Sequence, residues 1–292
     1  MDRPFRAEPT TKYAMMQAAT GTRCVPILRW RGGCSHELDD WVSEEVPIAL
    51  EFNGISHAVM LATPCDLEDF ALGFGLSEGI FEDRAELYAC ELNPTGFGIT
   101  LSMEVSSRSF ASLKNRRRTL AGRTGCGVCG TESLANVLRP MPSVATDLNF
   151  KCMAILAAMR SMRDGQMLNA ITGSMHAAAW CDINGEVQVL REDVGRHNAL
   201  DKLVGALANA GLKANKGFIA VTSRASIEMV QKAALAGAPL LAAVSAPTQL
   251  AVDAARRSGM SLVGLARQND LVIYAHSGRI SLPATVSSSL SS

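Results

Sequence analysis

The sequence predicts an α/β protein in two parts. A smaller N-terminal α+β unit precedes a C-terminal domain built on a largely parallel sheet flanked by helices. Three observations carry this. From Gly217 onward, apolar runs alternate with amphipathic stretches, the pattern of strand–helix–strand crossovers. Asn-Gly pairs at Asn53-Gly54 and Asn184-Gly185 separate alternating runs, and both positions tolerate the positive φ of a two-residue hairpin. Four glycines fall within the ten residues Ala121 to Gly130, too many for a packed helix or strand, so a loop divides the chain there.

The elements follow in order. Residues 1–44 have weak periodicity and read as a loosely packed arm. The small α+β unit spans 45–112. In it Pro47 to Phe52 and Ser56 to Thr63 form a hairpin. Asp66 to Glu78 is a helix with Leu67, Phe70, Ala71 and Phe74 on one face, and Gly98 to Val105 is a further strand. Residues 113–135 form the basic, glycine-rich loop, including Lys114 and Arg116 to Arg118. The main domain, 150–284, opens with a helix from about Lys151 to Arg163. A second hairpin pairs Met175–Ile183 with Glu186–Leu190. His197 to Ala210 is a helix ended by Gly211. Strands at Gly217–Thr222, Leu240–Val244, Leu262–Ala266 and Leu271–Tyr274 alternate with helices at Ala225–Ala236 and Thr248–Ser258. The serine-rich end, 285–292, reads as a disordered tail.

The 292 residues carry 28 basic and 28 acidic side chains. A net charge of zero provides no field for nucleic acid or an anionic membrane. The most apolar stretch, Ala233 to Pro247, is short and broken by Gly237, Pro239 and Ser245, so no membrane span is expected. The N-terminus lacks the apolar core of a signal peptide. A cytoplasmic location follows as the expectation, and with it reduced cysteines.

Three polar stretches follow the predicted parallel strands: Ser223 to Ser226, Ser245 to Thr248, and Arg267 to Asp270. Parallel strands would bring all three to one carboxyl edge, where open α/β sheets bind ligands. The first two also open helices, whose free N–H groups favour phosphate, and Arg224 and Arg267 add guanidinium groups. Each stretch alone reads equally as a helix cap or a solvated arginine. The stretch Arg191 to Lys202 is denser. Nine of its twelve residues are polar, charged or glycine, and Asp193, Arg196 and His197 crowd the start of an amphipathic helix. Capping needs only one of them, so a site is expected. His176, after a Gly-bearing turn, reads alone as a satisfied core histidine.

Cys126-Gly-Val-Cys129 admits three readings: half a zinc site, a redox pair, or a sulfur-handling pair. Six further cysteines (Cys24, Cys34, Cys65, Cys90, Cys152, Cys181) are scattered, so no closed zinc set is evident and no resident metal is expected. A thioredoxin-like pair opens a helix after a strand, whereas this one lies in the glycine-rich loop. Nearby Lys114, Arg116, Arg117, Arg118 and Arg123 favour the thiolate. A zinc deaminase needs His-x-Glu and a downstream Pro-Cys-x-x-Cys. Here Ala177-Ala178 follow His176, and the cysteine pair lies upstream.

Thr124-Gly-Cys-Gly-Val-Cys-Gly-Thr-Glu132, the stretch Arg191 to Lys202, and Ser223 to Lys232 resemble the signatures of the FdhD family. Thr63-Pro64 with Leu72-Gly-Phe-Gly-Leu-Ser-Glu-Gly79 is similar to its N-terminal motif. The resemblance runs from about Glu45 to His276. It implies a sulfur carrier that takes persulfide sulfur from a cysteine desulfurase and passes it to the molybdenum cofactor with two molybdopterin guanine dinucleotides, which formate dehydrogenase needs. It also implies a cytidine-deaminase-like fold and a homodimer. Carried over residue by residue, Cys126 would bear the persulfide and Cys129 would assist or resolve it. The cofactor segment would be Leu265, Ala266, Arg267, Gln268, Asn269 and Asp270, with Ser223, Arg224, Arg196, His197, Asp193 and His176 around it. The guanine could be read by a carboxylate such as Asp193 or Asp201. The sequence departs from the family's Thr-Gly-Gly-Xaa-His at Ser174, and Leu265 to Asp270 is less basic than the family pattern.

Overall fold

The structure is a computed structural model that describes residues 20–120 and 141–283. Cys126, Cys129 and the 285–292 tail lie outside the described residues.

Alternation and turn chemistry set the N-terminal unit. β3 (Val46–Phe52) and β4 (Ile55–Ala62) flank Asn53-Gly54, where φ is 47° and 74°. The sheet order is β4-β3-β6-β5, with β5 at Leu87–Thr95 and β6 at Gly98–Val105. β3 and β6 are parallel and the other pairings antiparallel. Ile48, Leu50, Phe52, Leu101 and Met103 bury one face against α1 (Leu67–Ser77). Asn53 ties its own turn down, accepting from the Val105 amide at 2.8 Å and donating to the Val105 carbonyl at 3.1 Å.

The main sheet has six strands in the order β13-β12-β11-β10-β8-β9. These are β8 (His176–Asp182), β9 (Val187–Asp193), β10 (Gly217–Val221), β11 (Leu240–Ala243), β12 (Ser261–Arg267) and β13 (Asp270–Ala275). Only β10/β11 and β11/β12 are parallel; β8/β9, β8/β10 and β12/β13 are antiparallel. The expectation of a largely parallel sheet is therefore corrected to a mixed one. Short connections at 183–186 and 268–269 force hairpins, since a parallel return needs a dozen or more residues.

Residues alternate across this sheet. Ala178, Trp180, Ile219, Val221, Leu241 and Leu262 pack under α5 (Arg196–Asn209), α6 (Ile227–Leu235) and α7 (Gln249–Ser258). Ala177, Ala179, Phe218, Ala220, Leu240 and Val263 pack under α3 (Cys152–Asp164). Thr248 caps α7, accepting from the Ala251 amide at 3.3 Å, and Gly259 ends it at φ 74°. A short helix α4 (Met167–Thr172) leads into β8, and β7 (Phe150–Lys151) pairs with β14 (Ile280–Ser281).

Two other expectations are corrected. Within the expected 1–44 arm, β1 (Thr22–Arg31) and β2 (Cys34–Ser43) form a ten-pair antiparallel hairpin. Most of its side chains are solvated, so no buried face imprints apolar alternation on its sequence. The basic run read as loop lies instead on helix α2 (Ser107–Leu120), which reaches to the edge of the described residues. Among the described residues, no helix is long and apolar enough to cross a membrane.

Candidate functional site

The three parallel strands end at one edge, as the sequence requires. There His176, Arg196, Thr222, Ser223, Arg224, Ser245 and Ala246 line an open cavity of about 460 Å³. Each wall has a structural cause. Ser223 and Arg224 leave the end of β10, Ser245 leaves β11, and Arg196 begins α5. His176 starts β8, where Thr222 fixes the neighbouring backbone by accepting from the Ala177 amide at 2.9 Å. Ser226 is the N-cap of α6, and its Oγ and the Arg196 Nε are buried without a protein partner. Buried donors of this kind are costly unless something accepts from them. Two guanidiniums, one with its Nε unpartnered, and the start of α5 make a place for an anion.

The electrostatics around the cavity separate the roles. Burial, and then the charges of Arg196 and His197, push His176 below its ordinary pKa. It is therefore neutral at pH 7, and Arg196 and Arg224 supply the positive charge. His197 Nε2 lies 2.7 Å from Glu228 Oε2, joining the start of α5 to the first turn of α6. That bond is the first cause of the lowered Glu228 pKa, with nearby cations adding to it.

The segment Leu265 to Asp270 does not line this cavity. Leu265 alone reaches its wall, donating its amide to the Ser245 carbonyl at 3.3 Å. Leu265 sits in the left-handed region at φ 53°, inside a bulge between Gly264 and Arg267. A branched residue there is strained. Ala266 is buried, so its side chain is core and not a ligand contact. Arg267, Gln268, Asn269 and Asp270 are exposed at the β12–β13 turn, where Arg160 donates to the Gln268 carbonyl at 3.2 Å.

Most of the charged stretch Arg191 to Lys202 holds the two units together. Arg191 grips Asp69 of α1 through Nε at 2.9 Å and Nη2 at 2.7 Å. Glu192 accepts from the Leu168 and Asn169 amides, both at 2.8 Å, at the start of α4. Asp193 and Lys202 are fully buried and paired at 2.7 Å. Asp193 also accepts from the amides of Thr63 at 3.0 Å and Gly195 at 2.7 Å, while Lys202 donates to the Thr63 carbonyl at 2.9 Å. Asn198 bridges the Leu61 carbonyl and Asp193. The expectation that Asp193 contacts a cofactor is corrected: its oxygens are sealed and engaged, and it positions the turn that presents Arg196. Asp201 is likewise spent on Lys232 at 2.8 Å and on Ser77, so neither carboxylate is free to read a base.

The sequence reading missed this clamp and its partner Thr63. The signal was present in Thr63-Pro64 opposite Asp193 and Lys202, but such pairings across the chain cannot be read from spacing. Ser174, which departs from the family's glycine, is hydrogen-bonded to Ser43 at the foot of the β1–β2 hairpin. Burial pushes the thiols of Cys181 and Cys90 up to about 12 and about 11, and burial is the leading cause of the raised pKa of Cys65. These three are poor thiolates.

Fold and site define a mixed α/β protein with a two-arginine cleft at the carboxyl edge of its parallel strands. Its two units are locked together behind that cleft. Residues 43–281 match the FdhD/NarQ family, and the chain belongs to that family. It is 59% identical over 246 residues to a protein of Variovorax paradoxus named sulfur carrier protein FdhD, covering 84% of this chain and 88% of the relative. It is 54% identical over 258 residues to one of the same name from Bordetella petrii, covering 88% and 93%. A crystal structure from Desulfotalea psychrophila, described as a candidate formate dehydrogenase accessory protein, is similar at a TM-score of 0.71 and 25% identity. That similarity covers 89% of this chain and 100% of the other.

Proposed function

We propose that the protein is a sulfur carrier. It accepts persulfide sulfur from a cysteine desulfurase on Cys126 and gives it to the molybdenum cofactor with two molybdopterin guanine dinucleotides that formate dehydrogenase needs. The observation that carries the reading is Cys126-Gly-Val-Cys129 beside the basic run Lys114 to Arg118, in a chain more than half identical to relatives named sulfur carriers. The protein works in the cytoplasm as a homodimer.

In the first step the Cys126 thiolate attacks the outer sulfur of the donor's persulfide. A sulfur–sulfur bond forms on Cys126, the donor's breaks, and the donor cysteine leaves as thiolate. In the second, the Cys129 thiolate attacks the inner sulfur of that persulfide. A Cys126–Cys129 disulfide forms and hydrosulfide leaves toward molybdenum. The two thiols are thereby oxidised as the transferred sulfur is reduced, and a cellular dithiol restores them. The cofactor is cargo. Arg196, Arg224, Ser223 and His176 hold one of its phosphate-bearing arms, His197 with Glu228 fixes the entrance of α6, and the exposed turn Arg267 to Asp270 extends contact along the same edge. Two arginines lining the cavity and the buried, unpartnered Arg196 Nε support an anionic ligand there.

The test is Cys126→Ala in cells lacking the wild-type protein. Formate dehydrogenase activity is expected to be lost, and Arg196→Ala/Arg224→Ala to weaken retention of the cofactor while sulfur loading persists. Activity sustained without Cys126 and Cys129 would instead make the protein a cofactor chaperone that moves no sulfur.

A further inference from the structure

The β1–β2 hairpin has no part in the chemistry above, and it precedes the 43–281 stretch shared with the family except at Ser43. Its register sorts its side chains onto two faces. One carries Arg23, Val25, Ile27, Arg29 and Arg31, opposite Val42, Asp40, Leu38, His36 and Cys34. The other carries Cys24, Pro26, Leu28 and Trp30, opposite Trp41, Asp39, Glu37 and Ser35. On that second face Trp30 is 73% and Leu28 69% exposed, and Glu37 and Asp39 are its charged residues. A two-stranded hairpin is marginal in water by itself. Leu28 and Trp30, adjacent on that face, leave apolar area in water that a bound partner would cover.

The root of the hairpin fixes where a bound partner would stand. Ser43 donates to the Thr172 hydroxyl at 3.1 Å and is hydrogen-bonded to the Ser174 hydroxyl. His176, two residues further on, lines the cleft. Ten residues per strand give an arm of roughly 33 Å, far longer than contact with a small molecule requires and suited to a protein surface. The charges choose among occupants. Two copies stacked through this face would set Glu37 and Asp39 against their own counterparts, and an anionic bilayer would be repelled.

We propose that this hairpin is a docking arm for the enzyme that receives the cofactor. Leu28 and Trp30 seat in an apolar recess of that enzyme, bordered by Lys or Arg side chains that face Glu37 and Asp39. A partner held there stands beside the cleft from which the cofactor leaves. The inference rests on the carrier reading for the identity of the recipient.

The test uses the full-length protein, immobilised, with purified apo-formate dehydrogenase as the probe in biolayer interferometry. Variants are Leu28→Ser/Trp30→Ser and Glu37→Lys/Asp39→Lys, the second a surface change that spares the apolar pair. Both are expected to weaken binding by roughly tenfold or more. Both should load persulfide sulfur as the wild type does, and the charge variant should lose the salt dependence of binding. Affinity of both variants within twofold of wild type would overturn the proposal. So would absence of binding by the wild type, a variant mass in light scattering that shows the face joins two copies, or loss of desulfurase binding in its place. Failure of sulfur loading in the wild type would overturn the carrier reading and leave the hairpin measurement standing.

Discussion

Asp193 and Lys202 bear the largest single-residue consequence. Each is fully buried, and each compensates the other across the joint with Thr63. Lys202→Met leaves a sealed carboxylate uncompensated and should cost about 3–5 kcal/mol, read as a lower urea midpoint. The double variant Lys202→Met/Asp193→Asn should recover part of that loss; a single variant as stable as wild type would remove the clamp from the account. Glu86 is a milder case with a pH signature. Hydrogen bonds from Ser109 first, then from the Glu82 amide, lower its pKa to about 2, and Ser106 contributes. Its unfolded-state value is about 4.3. The carboxylate's contribution is thus present above that value and lost as pH falls toward 2. Protection of the first-turn amides of α2, taken relative to intrinsic exchange at each pH, should fall over that window, and Glu86→Gln should abolish this change. The sequence made Asp193 look like a site residue because charge at a helix start is the only visible feature. Its partner lies 130 residues away, and burial, which decides its role, has no local signature.

At the scale of elements, α1 and α5 meet through glycine. A Cβ on Gly73 would lie 1.7 Å from the Asp201 carbonyl oxygen, and one on Gly205 would lie 1.9 Å from that of Asp69. Backbone occupies both positions, so the helices themselves must separate. Gly73→Ala or Gly205→Ala should cost about 3 kcal/mol or more and loosen the Arg191–Asp69 pair. Calorimetry checks the size, and wild-type melting of Gly205→Ala would refute the close crossing. Elements with a buried face were legible: the Asn53-Gly54 hairpin, the helices α1, α3, α5, α6 and α7, and the strands β10 to β13 stand within a few residues of where periodicity predicts them; the second hairpin forms, but around the four-residue loop 183–186, where Gly185 and not Asn184 has positive φ. β1, β2 and β5 were not, because they expose most of their side chains. Helix α2 was hidden by a basic run that has no apolar stripe.

For the whole molecule, chain order was legible and sheet sense only partly so. The three strands β10 to β12 are parallel as predicted, and they bring Ser223 to Ser226 and Ser245 to Thr248 to one edge. The antiparallel strands on both flanks follow from connection length, a weaker signal than the helix–strand alternation. The cleft gathers His176, Arg196, Ser223 and Arg224 from three separate motifs. The sequence places Ser223 and Ser245 at a shared edge; only the family resemblance adds His176 and Arg196 to it, because they stand on β8 and α5, outside the parallel run. Behind the cleft the Asp193–Lys202 pair, tied to Thr63, joins the two units. The central claim is that Cys126 carries that sulfur. Intact-protein mass spectrometry after incubation with a cysteine desulfurase and cysteine tests it most directly. The account predicts one added, reductant-labile sulfur that maps to Cys126 and is absent from Cys126→Ala; an active desulfurase that adds no sulfur, or adds it equally to Cys126→Ala, would contradict it.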